Sequence, residues 1–112
     1  MTVDIKQIPQ IVQEAKNAAH QAATNYFHEV LRGQDRFACG FAWIHVSEKG
    51  STKMGRALMQ NGFEKAYRGG LEMWNPSGLS VQNIDVKEIG ANAAVAVLRK
   101  YGINAYTGSR LD

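Results

Sequence analysis

The sequence predicts an α+β domain, and three observations carry that reading. One long stretch has apolar residues at gaps of three and four. Two shorter stretches repeat that helical spacing. Strand-like runs bounded by glycine, proline or small polar residues lie between and after them.

The long stretch covers Ile8 to Leu31. Ile8, Ile11, Val12, Ala15, Ala19, Ala22, Ala23, Tyr26, Phe27, Val30 and Leu31 fall on one side of a helix of about six turns. Pro9 suits a first helical turn, and Gly33 suits a terminator. Phe37 to Val46 reads as a central strand buried on both faces. Its odd positions (Phe37, Cys39, Phe41, Trp43, His45) are large or polar-tipped, and Ala38, Gly40 and Ala42 between them are small enough to let a helix approach. Both tryptophan side chains have a core role open to them, Trp43 more so than Trp74.

A turn at Ser47–Gly50 leads to a second helix capped by Ser51 or Thr52, with Met54, Ala57 and Leu58 facing inward. Gly62 fits the left-handed position after that helix, with Phe63 as the apolar contact that closes a Schellman ending. Phe63–Tyr67 and Leu71–Asn75 read as strands joined by Arg68-Gly69-Gly70, the charged first one as a sheet edge. Asn75-Pro76-Ser77-Gly78 forms a turn. Asp85 with Glu88 resembles a capping box opening a third helix, which buries Val86, Ile89, Ala93, Ala94, Val97, Leu98 and Tyr101 and stops at Gly102. Ile103–Thr107 makes a last strand, and Gly108–Asp112 is a polar tail.

After the first helix the order is therefore β-α-β-β-α-β. This is the split-βαβ, ferredoxin-like arrangement with a four-stranded antiparallel sheet. The whole chain, 1–112, reads as a single domain: a helix over 1–33 and a βαββαβ core over 37–112. In this layout two helices cover one sheet face. The first helix or a second subunit is expected to cover the other, so a homodimer is expected.

The 112 residues are 45% apolar and 21% charged, which is ordinary for a globular domain. Phe37–Val46, the longest uncharged apolar run, is too short to cross a bilayer, and Met1–Lys6 lacks the pattern of a signal peptide. A single cysteine, Cys39, rules out an internal disulfide and a cysteine-rich zinc site. The expectation is a cytoplasmic protein with no membrane partner. A net charge of +3, spread along the chain, permits an anionic partner without demanding one.

Eight residues are candidates for ligand contact. Lys49, Ser51, Thr52, Lys53 and Arg56 surround the start of the second helix, where free amides, hydroxyls and cations suit a phosphate or carboxylate. Trp74 and Asn75 offer a stacking ring and a hydrogen-bonding amide. Arg110 offers a fork for carboxylate or phosphate. No metal ligand set, catalytic residue or cofactor is expected. Cys39 and His45 lie about 20 Å apart along one strand, and His20 and His28 about 12 Å apart along one helix. Gly50–Met59 with Asn61–Glu64 loosely resembles the coenzyme A loop of the N-acetyltransferase superfamily. The two pieces are nearly contiguous here, whereas that family separates them by a longer helix and a strand.

Cys39-Gly-Phe-Ala-Trp43, Lys49–Arg56, Met73-Trp-Asn-Pro-Ser-Gly78 and Ala105–Asp112 together resemble small accessory proteins of tailed bacteriophages, including marine cyanophages. The resemblance runs from Phe37 to Asp112. It implies an accessory protein acting in the host cell and carries no assigned residues. The leading expectation is a non-enzymatic binder of an anionic or phosphorylated small molecule such as a nucleotide. A module binding a host protein or single-stranded nucleic acid through Phe41 and Trp43 is the alternative. A small acyl or nucleotidyl transferase comes third.

Overall fold

The computed structural model describes residues 3–112; Met1 and Thr2, the first residues of the expected N-terminal unit, lie outside the described residues. After a 3-10 turn at Ile5–Gln7 come α1 (Ile8–Glu29), β1 (Gly40–Val46), α2 (Lys53–Gln60), β2 (Glu64–Lys65), β3 (Leu71–Trp74), α3 (Ile84–Lys100) and β4 (Ala105–Leu111). The sheet runs β2-β3-β1-β4, and each neighbouring pair is antiparallel. The expected N-terminal helix followed by βαββαβ is therefore the fold, with β1 and β3 in the centre.

The helices share one core with one face of the sheet. Ile44 and Val46 of β1, Leu71 and Met73 of β3 and Ala105 of β4 pack with Leu58 of α2, with Ala94, Val95 and Leu98 of α3, and with Ile8, Ile11, Val12, Ala15 and Ala19 of α1. Burying each of the larger side chains stabilises the fold by about 1.5–3 kcal/mol. Ala15, Ala19 and Ala23 of α1 and Gly90, Ala91 and Ala94 of α3 are all buried, and their small size lets these two helices lie close. α1 thus joins the helical layer and leaves the opposite sheet face uncovered. No helix of the described residues is long and apolar enough to cross a membrane.

Several boundaries differ from the sequence reading, each for a physical reason. α1 stops at Glu29, because Arg32 (φ +56) and Gly33 (φ +75) turn back and the Gly33 N–H donates to the Phe27 carbonyl at 2.9 Å. Leu31 is tucked beside Ala23 and Val86. β1 begins at Gly40 rather than Phe37. The Asp35 carboxylate accepts from the Gln82 and Asn83 amides (2.8 and 3.0 Å), which ties down the linker, and Phe37 sits exposed at φ +71. β1 is also buried on one face only: its even positions are buried, whereas Phe41, Trp43 and His45 are half-buried.

Thr52 caps α2, and Gly62 (φ +102) with the Phe63 N–H bonded to the Leu58 carbonyl makes the Schellman ending. That role draws Phe63 into the core and shortens β2 to two residues. α3 is capped two residues earlier than Asp85 suggests. Asn83 is 1% exposed; its side chain accepts from the Val86 N–H at 3.0 Å and donates to the Arg36 carbonyl at 2.6 Å. The supposed polar tail is the second half of β4, paired with β1 out to Gly40↔Leu111.

The first half of α1 is tied to the C-terminal end of α3 by Glu14, whose carboxylate accepts from Lys100 Nζ at 2.8 Å and from the Tyr101 hydroxyl at 2.6 Å. The hydrogen bond from Lys100, then that from Tyr101, holds the Glu14 carboxyl below its ordinary range. Their bonds to Glu14 raise both Lys100 and Tyr101.

Two outcomes are expected. Asn83→Ala should lower unfolding stability by about 1–2 kcal/mol, the usual effect of losing a helix cap, read as a shifted urea midpoint at unchanged slope. Glu14's contribution is present above the ordinary glutamate range and is lost as pH falls through its lowered folded value. The contributions of Lys100 and Tyr101 are lost as pH rises through their raised values. Glu14→Gln should therefore flatten both limbs of the stability–pH curve; unaltered limbs would assign the pH dependence elsewhere.

Candidate functional site

The pleat of β1 sends its odd residues to the uncovered face, and the antiparallel register aligns them with residues from both neighbours. Glu72, His45 and Tyr106 form one row across β3, β1 and β4; Trp74, Trp43 and Gly108 form the next. Phe41 stands opposite Arg110 in a third.

Within these rows the rings are in contact. Trp43 stacks on Trp74 with centroids 4.6 Å apart at 23°, and Phe41 meets Trp74 edge-on at 5.8 Å. His45 stacks on Tyr106 at 4.6 Å. The Arg110 guanidinium lies 5.4 Å from the Phe41 centroid and 5.9 Å from that of Trp74, and Lys87 Nζ lies 5.2 Å from Phe41. Lys87 is held there by donating to the Gly40 carbonyl at 2.8 Å.

Gly108 makes this packing possible. A β-carbon built on it would fall on the Trp43 indole, so the missing side chain is the space the ring occupies. The same glycine weakens the strand pattern of residues 105–111, which is why they read as a tail from sequence.

Over the rows of Glu72 and Trp74 lies an open cleft of about 940 Å³, in the range of small-molecule sites. Trp43, His45, Trp74, Tyr106 and Arg110 line it from the sheet. Lys49 and Glu48 border it from the loop after β1, and Tyr67 and Arg68 from the β2–β3 turn. Trp74 keeps 38% of its surface exposed, so it can accept a further ring.

The eight residues singled out from sequence do not stay together. Lys49, Trp74 and Arg110 meet at this cleft. Lys53 and Arg56 line a separate shallow groove of about 510 Å³ together with Lys6 and Asp4. Ser51 is exposed, and its carbonyl accepts from Arg56 at 2.6 Å. Thr52 is occupied as the cap: its hydroxyl donates to Glu48 at 2.7 Å and accepts from the Gly55 N–H at 2.9 Å. Gly55 lies directly under the Lys49 carbonyl, where any β-carbon would collide. The start of α2 is therefore closed over by its own loop. Asn75, at φ +47, spends its amide on the turn, donating to the Leu79 carbonyl and accepting from the Ser77 hydroxyl.

His45, Glu72, Tyr106 and Arg68 were not singled out as ligand contacts, and Trp43 was named only as a ring on which a base could stack. The signal that finds all of these but Arg68 is the alternation 41/43/45 on β1 with 72/74 on β3 and 106/108/110 on β4, which appears once the strand order is applied. Among the described residues no three His, Cys, Asp or Glu side chains are placed to hold a metal ion. Cys39 Sγ lies 3.4 Å from Gln82 Oε1, and His20 Nδ1 donates to the Ser77 carbonyl at 3.0 Å.

Gly108→Ala should expel the Trp43 indole, remove the near-ultraviolet circular dichroism of the stacked tryptophans and cost about 1–3 kcal/mol of stability, as overpacking does. A native near-ultraviolet spectrum would mean that the stack does not depend on the glycine. Comparison with known proteins identifies no relative: no family model, no curated protein and no solved structure matches the chain.

Proposed function

We propose that this protein is a non-enzymatic binder of an anionic ligand carrying a flat ring, such as a nucleotide, held in the cleft on the open sheet face. The observation that carries the reading is Trp74, backed by Trp43 at 4.6 Å, half-exposed on the cleft wall with Arg110 beside it. A backed indole is a rigid stacking surface, and stacking on such a ring contributes about 1–3 kcal/mol per base. Lys49 and Arg68 at the rim, with Arg110, supply charge for a phosphate.

The cleft also holds acidic groups, and these discriminate among ligands. Glu72 lies two residues before Trp74 on the same face of β3, about 7 Å away, opposite His45. A carboxylate there disfavours a phosphate and accepts from an exocyclic amino group, as glutamate does from cytosine N4. The ring should therefore point its amino edge toward Glu72 and its phosphate toward Arg110 or the rim. Adenine, guanine and cytosine fit that arrangement better than uracil. The setting, an accessory protein of a tailed phage in the host cytoplasm, rests on the resemblance of Cys39–Trp43, Lys49–Arg56, Met73–Gly78 and Ala105–Asp112 alone.

The test is a thermal-shift screen across nucleotides, coenzyme A and phosphorylated metabolites lacking a ring. A ligand at 100 times its Kd adds about 2.7 kcal/mol of stability, a shift of several degrees for a domain of this size. Nucleotides are expected to shift the transition, ringless phosphates to leave it in place, and Trp74→Ala to weaken binding by the stacking contribution of about 1–3 kcal/mol. Equal shifts from ringless phosphates would sink the stacking reading, and no shift at all would turn the face toward a host protein or a second copy of the chain.

A further inference from the structure

Resting on the reading of the cleft as a nucleotide site, we propose that the open face binds a single-stranded oligonucleotide laid along β1, with the cleft as one of at least two base stations. Phe41 is the second station. It stands on the same face of β1 as Trp43, two residues away, and is not part of the cleft lining. Two residues of strand span about 6.6 Å. That is about twice the 3.4 Å rise between bases stacked in a duplex strand. It is the spacing of bases drawn apart onto separate side chains, the manner in which single strands are recognised.

The placement of charge points the same way. Lys49 and Arg68 border the cleft near Ser47, the end of β1 away from Phe41. At the other end Lys87 and Arg110 stand over the Phe41 ring at 5.2 and 5.4 Å. Phe41 and Ser47 are six residues apart, about 20 Å of strand. A ligand with one phosphate group engages one end of this span. A strand of about three to six nucleotides, at 6.6 to 3.4 Å each, reaches both.

The charge of these cations is not neutralised, although Lys87 spends one donor on the Gly40 carbonyl. The Lys100–Glu14 pair on the helical side is the one salt bridge among the described residues, so none of the four has an acidic partner there. Glu72 lies between the two cationic ends, and Glu48, beside Lys49 on the rim, already accepts the Thr52 hydroxyl. The Glu72 charge keeps phosphates to the ends and flanks of the face and leaves the middle to bases. Aromatic rings between flanking cations, on a sheet face that no helix of the described residues covers, match the alternation of base and phosphate in a single strand.

The experiment measures binding of fluorescent mixed-sequence hexanucleotides, in ribo and deoxyribo form, by anisotropy, with the 5′ mononucleotides as competitors and a duplex of the same sequence as control. A hexamer of either sugar should bind at least tenfold tighter than the best mononucleotide and tighter than the duplex. The difference between the sugars then identifies RNA or DNA as the partner. Four phosphate contacts on a single strand give a salt slope of about −2.8, so affinity should fall about fiftyfold between 50 and 200 mM salt; one or two contacts give less than a tenfold fall. Lys87→Ala, and Phe41→Leu as a variant that keeps apolar bulk, should lower hexamer affinity several-fold more than mononucleotide affinity.

A mononucleotide binding as tightly as the hexamer, with Lys87→Ala affecting both equally, overturns the strand proposal and leaves the cleft reading standing. Failure of mononucleotides and hexamers alike overturns both. A concentration-dependent dimer in sedimentation that Trp74→Arg dissolves, with no oligonucleotide binding, assigns the face to a second copy of the chain.

Discussion

The two-residue period of β1 is the constraint on which the rest of this molecule depends. Ile44 and Val46 point into the helical core, and Phe41, Trp43 and His45 point away from it. A slip of one residue would drive an indole between α3 and the sheet and push Ile44 into water, so the register is held by burial on one side. Because β1 is central, that choice propagates. Its partners must place Leu71, Met73 and Ala105 inward, and so Glu72, Trp74, Tyr106 and Arg110 outward. The aromatic face is the reverse side of the core's own requirements.

The helices reinforce this asymmetry. α1 carries a stripe of alanines where it meets α3, and the fit of small residues there lets it settle on the helical layer. A helix with bulkier residues along that stripe would find no such seat. The layer is fastened at one end by Glu14 with Lys100 and Tyr101, and the loop between α1 and β1 is fastened at the other by Asp35 and Asn83. With all three helices on one side, the aromatic face stays open.

Much of the fold was legible because its signals are local. The 3.6-residue spacing of α1, the Thr52 cap, the Gly62–Phe63 ending and the charged edge at Glu64–Lys65 each follow from a few neighbouring residues. What was not legible depended on residues far apart in the chain. Residues 108–112 look like a tail because glycine, serine and arginine are poor strand formers, and only the indole of Trp43 explains the glycine. Asp35 looks like a solvated acid until the amides of Gln82 and Asn83 are placed beside it. The loop 49–56 shows the opposite failure: its cations and hydroxyls look convergent in sequence, yet Thr52 and Gly55 are used up in building the turn and the cations leave on different sides. Lys49, Trp74 and Arg110 line one cleft, and their meeting depends on the strand order rather than on any motif.

Gly108 has a consequence for how the molecule assembles. Trp43 leans on a residue 65 positions later in the chain, and β1 finds its outer neighbour only among the last seven residues before Asp112. Phe41, Trp43 and His45 gain Arg110, Gly108 and Tyr106 beside them only once this long-range pairing has closed, at the entropy cost of a large loop. The aromatic face is therefore complete only in a chain folded through to its final strand.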